Sequence, residues 1–403
     1  MNSDTVADVK VPALDDDPFG HGILTDPYDF HARLRDAGPV VRLARYGVLA
    51  MGRYTEVYAS LQNWETFVSS RGAGLSDFKK EKPWRAPSLL LEADPPEHTV
   101  ARRAMAGVIS PRAVRELRAT FRPFAEELAD RLVARGTFDA VTDLAEVYPL
   151  KVFPDAVGLP ERGRENLLPY GALAFNAFGP HNDLLEAALE TAAPVQEWGM
   201  KSCRRESLAP GGFGARIWEA ADRGEVTHEQ APLLVRSLLS AGVDTTVYGI
   251  ANSLYALATH PEQWRRLHAD PSLAKFAFDE ALRFESPVQT FFRTTARDTE
   301  VAGVRIPEGT KVLLFLGSAN RDPRHWGVGA DSFDITHRAG GHVAFGMGVH
   351  QCVGQPIARL EADLVLTALA SRVSGVELAG EPVPKLNNTL KGWASIPVRV
   401  TPA

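Results

Sequence analysis

The chain has 403 residues, a formal net charge of -6, 45% hydrophobic and 23% charged residues, the balance of a globular protein with a sizeable core and without the basic footprint of a nucleic-acid binder. Two cysteines, Cys203 and Cys352, cannot build a disulfide framework and supply at most half of a four-cysteine zinc site. No apolar run approaches the ~18–20 residues of a membrane span, and the acidic, proline-broken start lacks the regions of a signal peptide; a cytoplasmic protein is expected.

In chain order, residues 1–15 read as a loose arm, and 16–403 as one domain, because no linker-like Pro/Gly/Ser stretch divides them. "DPYDFHARLRDAGPV" predicts a short helix, and the apolar stretches around "VVRLARYGVLAMG" predict a hairpin. From Pro111 the pattern is helical: Val114, Leu117, Phe121, Leu128 and Leu132 recur at helix spacing. Further helices are expected around residues 162–200, 229–260 and 271–285. "TEVAGVRIPEGTKVLLFL" reads as strands, a helix follows Cys352, and "VPKLNNTLKGWASIPVRVTPA" returns to strand character. The fold class is mainly α with small β-sheets near both ends of the chain.

The lone cysteine of "FGMGVHQCVG", Phe345 to Gly354, sits in a glycine-rich loop at the start of a helix. Glycines let flat groups approach the main chain, and the positive end of a helix favours a thiolate. Such a thiolate suits iron, although a structural cysteine in a glycine turn fits the same residues. The loop resembles the haem-binding loop of the cytochrome P-450 monooxygenases, Phe-Gly-x-Gly-x-His-x-Cys-x-Gly, at every specified position. The resemblance implies a helical prism with haem b between a long central helix and the cysteine-loop helix. It makes Cys352 the axial thiolate and metal ligand, which favours O–O cleavage. It assigns His350 to a haem propionate and Phe345 and Gly346 to the cofactor site.

Other signatures of the family follow in order. "SAGVDTTVYG" lies within a predicted helix, where Ala241 and Gly242 leave room for a flat group and Thr245 can bond back to the Ala241 carbonyl. By resemblance, Asp244 and Thr245 manage proton delivery to dioxygen. "FDEALRFESP" puts Glu280 and Arg283 on one helix face; in the family this pair is buried and structural, and Arg338 is the candidate for its third member. His98 and Arg102, one helical turn apart, and Arg293 match the family's other propionate partners.

The substrate is suggested by a stretch before His98, where Arg85 and Ser88 precede "LLL", and by Arg236 and Ser237 two turns upstream of Thr245. Arginine and serine from two walls suit a carboxylate. Phe175 and Phe178 share a helix face, and Phe291 and Phe292 stand beside Arg293; either set is also compatible with ordinary core packing. "SSRGAGLSDFKKEKPWR", "PLLVRSLLSAG", "AFNAFGP" and "ESPVQTFFRTT" look like the bacterial P-450 subgroup that oxidises para-substituted benzoates. This implies that Arg85, Ser88 and Ser237 anchor the carboxylate, with Arg236 balancing charge. Phe175, Phe178, Phe291, Val288 and Ala241 would sandwich the ring. Ala174, smaller than that subgroup suggests, widens the pocket.

The implied partners are a small aromatic acid, dioxygen, and a ferredoxin served by a flavoprotein reductase, with no nucleic acid and no membrane. Arg112, Arg115, Arg118 and Arg122 form a basic cluster suited to an acidic ferredoxin. Another small aromatic or terpenoid substrate, a haem-thiolate peroxygenase, and a haem sensor without catalysis are the alternatives. Cys203 has no assigned role.

Overall fold

A computed structural model describes residues 10–403. Of the expected arm, residues 1–9 lie outside the described residues, and Ala13–Leu14 (β1) already joins a sheet. That sheet runs β1-β2-β3-β9-β6-β4. Its strands are β2 (Val41–Leu43), β3 (Val48–Met51), β4 (Phe67–Val68), β6 (Thr290–Thr295) and β9 (Lys311–Phe315). The predicted hairpin is β2–β3, paired antiparallel, while β3 pairs parallel with β9 and β9 antiparallel with β6. A three-stranded sheet joins β5 (Thr137–Asp139), β10 (Val373–Leu378) and β13 (Pro397–Pro402). Two hairpins, β7–β8 (Thr299–Val301, Val304–Ile306) and β11–β12 (Val383–Lys385, Gly392–Ser395), complete the β-structure among the described residues.

Helices make the bulk of the fold. The helix predicted after Pro111 runs Pro111–Arg135: Ser110 caps its first turn by accepting from the Ala113 N–H, and Gly136 closes it at φ 70°. Its Phe121, Leu128 and Leu132 are buried. It packs against Gln355–Ala370, the helix that follows the cysteine. Asp244–Thr259 and Ala274–Glu285 complete the central layer of the main apolar core.

Two expected helices are broken. The 229–260 segment forms Ala231–Ala241 and Asp244–Thr259, interrupted at Gly242 and Val243. The Thr245 hydroxyl donates to the Ala241 carbonyl at 2.8 Å, the bond expected to loosen the helix there. The 162–200 segment forms Leu167–Asn176, Asp183–Glu190 and Ala192–Ser202, because Gly179 and Pro180 end the first of them. The Tyr54–Gln62 helix was not foreseen. Among the described residues, no helix is long and apolar enough to cross a membrane.

Candidate active site

A large cavity lies between the break in the long helix and the cysteine loop. Its walls include Ala241, Thr245, Phe345, Gly346, Cys352 and Val353. The loop is shaped by its glycines: Gly346 and Gly348 have φ of 67° and 70°, and a side chain at Gly348 would meet the Leu61 carbonyl at 2.9 Å. The Cys352 N–H donates to the Phe345 carbonyl at 2.8 Å. Burial pushes the Cys352 thiol up, against the opposing pull of the Gly354 and Gln355 N–H groups and of Arg102. The N–H groups at the helix start pull towards the thiolate, as expected from the sequence. Metal coordination deprotonates a thiol outright.

Of the expected propionate partners, Arg102, Arg293 and His350 line the cavity and His98 does not. Arg293 is buried on β6, and both it and Arg102 line the cavity. Arg102 donates to the Gln351 carbonyl. Burial lowers Arg293 to about 10, with Asp94 opposing, which leaves it cationic at neutral pH. The His98 ring lies 4.5 Å from that of His350. Burial, reinforced by His350 and Arg102, lowers His98 to about 4, so it is neutral here rather than cationic, and its buried Nε2 has no hydrogen-bond partner. His350 Nε2 lies 3.2 Å from Asp94 Oδ1, and its Nδ1 lies 3.1 Å from the Leu90 carbonyl.

Asp94 was not foreseen. Burial pushes its carboxyl up, but hydrogen bonds from His350, Ser70 and Ser69 outweigh burial and hold it at about 2. It ties the loop at Ser69–Ser70 to the cysteine loop. Its position four residues before His98 was the available signal.

Glu280 and Arg283 form a fully buried bridge at 2.8 Å. Arg283 also donates to the Asn320, Ala330 and Ser332 carbonyls, and Glu280 accepts from the Asp334 N–H. Asn320 in turn accepts from the Val343 N–H at the head of the cysteine loop. The third side chain is a correction: Arg338 is exposed and makes no contact with Glu280 among the described residues, whereas His337 Nδ1 stands 3.4 Å from Glu280 Oε2. The irregular turn at Thr336–His337 decides which of two adjacent residues faces inward, and sequence order alone does not reveal that.

Asp244 is buried, with Oδ1 unpaired. Its carboxylate sits so close to Gly171 that any side chain there would collide with it. Burial raises its pKa to about 8, with Lys385 opposing. Its carboxyl packs towards Gly171, while Thr245, the next residue, lines the cavity.

The remaining wall is aromatic and ends in polar groups. Phe175, Phe178 and Phe291 form an edge-to-face chain with centroids 5.9 and 5.7 Å apart, and Val288 packs against them. Strand alternation separates the other pair: Phe291 and Arg293 face the cavity, but Phe292 points to the opposite side of β6, where it stacks with Phe19. Phe292 therefore belongs to the core and not to the cavity wall.

Ser88 and Ser237 line the cavity with hydroxyl oxygens 3.3 Å apart, and Arg85 lines it too. Arg236 does not; it donates to the Ala86 and Pro87 carbonyls. A buried carboxylate not anticipated from the sequence, Glu92, accepts from Arg85 at 2.9 Å and from the Ser88 N–H at 2.8 Å. Its spacing, four residues after Ser88 in "SLLLE", was the legible hint. Lys311 secures the loop beneath, donating to the Gly72 and Gly74 carbonyls at 2.8 and 2.7 Å.

The cytochrome CYP199A2 of Rhodopseudomonas palustris is 58% identical to this chain over 394 residues, covering 98% of this chain and 95% of that protein. The chain belongs to the cytochrome P450 family. The family's sequence model matches residues 272–397, the part holding Glu280, Arg283 and the cysteine loop. The monooxygenase PikC of Streptomyces venezuelae is 31% identical over 413 residues, covering 96% and 94% of the two chains. Among solved structures, cytochrome P450 CREJ in complex with (4-ethylphenyl) dihydrogen phosphate superposes with a TM-score of 0.85 at 27% identity, covering 96% and 99%. CYP109Q5 of Chondromyces apiculatus gives 0.81 at 30%, covering 97% and 99%.

As a cytochrome P450, the protein is a monooxygenase that binds haem through a cysteine thiolate and takes electrons from redox partners. The residues present fit that cofactor. Cys352 opens on the cavity that Ala241 and Gly242 line from the long helix, and Arg102 and Arg293 line the same cavity as cationic donors suited to carboxylates.

Proposed function

We propose that this P450 oxidises small aromatic carboxylates at the para position, with O-demethylation of 4-methoxybenzoate as the model reaction. The observation that carries the reading is the paired Ser88 and Ser237 hydroxyls, with Arg85, at one end of a cavity whose walls are Phe175, Phe178, Phe291 and Val288 and whose floor holds Cys352. Two hydroxyls and a guanidinium match the oxygens of one carboxylate. The phenylalanine edges confine a flat ring. Ser237 and Thr245 sit about two helical turns apart, which directs the group para to the carboxylate towards Ala241 and Thr245. The solved P450 that held (4-ethylphenyl) dihydrogen phosphate also accommodated an anionic ring with a para substituent.

Haem supplies the activation of dioxygen. The chain's own residues orient the acid, exclude water, and hold a proton on Asp244 for relay through Thr245. For the methoxy group, one oxygen atom enters a C–H bond and two electrons and two protons reduce the other atom to water. The resulting hemiacetal releases formaldehyde and leaves a phenol.

Electrons would come from a ferredoxin with its flavoprotein reductase, in the cytoplasm. Arg112 and Arg118 of the basic cluster are paired with Glu116 and Asp363, so Arg115 and Arg122 carry most of the free charge there. Turnover of 4-methoxybenzoate with a ferredoxin and reductase tests the reading. Equimolar formaldehyde and 4-hydroxybenzoate support it; electron consumption without either product refutes it.

A further inference from the structure

Three ionic groups meet the loop that carries the substrate-facing serine. Arg85 contacts Glu92 and the Ala86 carbonyl, and Arg236 crosses from the opposite helix to the Ala86 and Pro87 carbonyls. Glu92, buried, uses a single oxygen for both Arg85 and the Ser88 N–H. Two positive charges, Arg85 on the cavity wall and Arg236 behind the loop, and the one negative charge of Glu92 leave a net charge of one around the loop that bounds this end of the cavity. Glu92 is thus fixed by the backbone it caps before any ligand arrives.

We infer that Glu92 sets the charge specificity of the anion site: it cancels one of the two arginines, so that a monoanionic carboxylate neutralises the site and a dianion overcharges it. The inference rests on the carboxylate reading above and adds to it the residue that separates one anion class from another. A singly charged carboxylate leaves no uncompensated charge. A doubly charged aryl phosphate has the same ring and one extra charge with no partner, and an unpaired charge in a desolvated site is rejected strongly. Glu92 acts through Arg85 and Ser88 and is therefore a positioning residue and not a catalytic one.

The test is calorimetric titration of the holoenzyme at pH 8 with 4-ethylbenzoate and 4-ethylphenyl phosphate, the latter being close to a dianion there because its second pKa is about 6. The readout is the ratio of the two affinities, in which the shape difference between the ligands cancels across variants. Wild-type protein prefers the carboxylate. Glu92→Gln shifts the ratio at least about tenfold towards the phosphate. Arg85→Gln shifts it the other way, and the double variant returns to within about threefold of wild type, because net charge is then restored.

A Glu92→Gln protein that weakens both ligands equally would show that Glu92 only braces the loop, and would overturn the inference while leaving the carboxylate site standing. Should that variant not fold, an unmoved ratio in Arg85→Gln is equally decisive against it. Failure of wild-type protein to bind either anion removes the carboxylate reading and the inference together.

Discussion

Ser88 and Ser237 come from a loop and a helix 149 residues apart in sequence and place their hydroxyl oxygens 3.3 Å from each other. Each is already oriented by backbone. Ser237 donates to the Leu233 carbonyl, and Ser88 accepts from the Leu90 and Leu91 N–H groups. With the Ser237 proton given to Leu233, the Ser88 proton points at the Ser237 oxygen and can turn from it to a bound carboxylate. A hydrogen bond to a charged group contributes about 1.5–3 kcal/mol. Ser88→Ala should accordingly weaken 4-methoxybenzoate binding by roughly tenfold to a hundredfold, while its effect on 4-methoxybenzamide is small. Equilibrium titration of both ligands checks this.

Asp244 leads to a prediction about pH. Its folded-state pKa, raised by burial to about 8, lies above its ordinary value. The folded protein thus holds this proton between about pH 4 and 8 while the unfolded chain releases it. The stability tied to the group is fully present below its ordinary pKa and is lost as pH rises through about 8. As a proton donor it follows the same limb, so kcat should fall above pH 8. Asp244→Asn should lower kcat by about a hundredfold or more and flatten that limb; kcat–pH profiles of both proteins decide it. Thr245→Ala should leave substrate affinity intact but divert electrons from product, read as product formed per reductant consumed.

The buried Glu280–Arg283 bridge and the exposed Arg338 predict opposite outcomes. Glu280→Ala strands a guanidinium that is fully enclosed, at a cost of about 3–5 kcal/mol. Because Arg283 holds the segment that leads through Asn320 to Val343, the variant should also lose haem. Arg338→Ala should stay within about 0.5 kcal/mol of wild type and retain its cofactor. Thermal melts and haem content measured side by side separate the two.

Ala174 is buried on the cavity wall beside Phe175. A larger side chain there narrows the space for the ring. Ala174→Leu should leave 4-methoxybenzoate turnover within a fewfold of wild type and reduce that of 6-methoxy-2-naphthoate by about tenfold or more, since each added methylene in an apolar site counts for about 1–3 kcal/mol. Competition between the two acids for one enzyme gives the ratio directly.

Much of the site was legible because its chemistry depends on local spacing. The cysteine loop, the Asp244–Thr245 pair and the Glu280–Arg283 pair each sit within one loop or one helix turn, where residue order dictates geometry. The serine–arginine end was legible through resemblance, and the structure does bring Ser88 and Ser237 together. What escaped was set by long-range packing or irregular backbone. His337, and not Arg338, turns inward in a segment without regular structure. Phe292 and Phe291 are split by the pleat of β6. Glu92 and Asp94 are ordinary acids in sequence and acquire roles only because Arg85 and His350 arrive beside them.

The most direct measurement is optical titration of the purified ferric protein with 4-methoxybenzoate, alongside its amide and its methyl ester. The account predicts a haem spectrum that moves from low to high spin with the acid alone, as the ring displaces water from the iron under the grip of Ser88, Ser237 and Arg85. An equal response to the amide, or a haem spectrum unmoved by the acid, would contradict the carboxylate anchor.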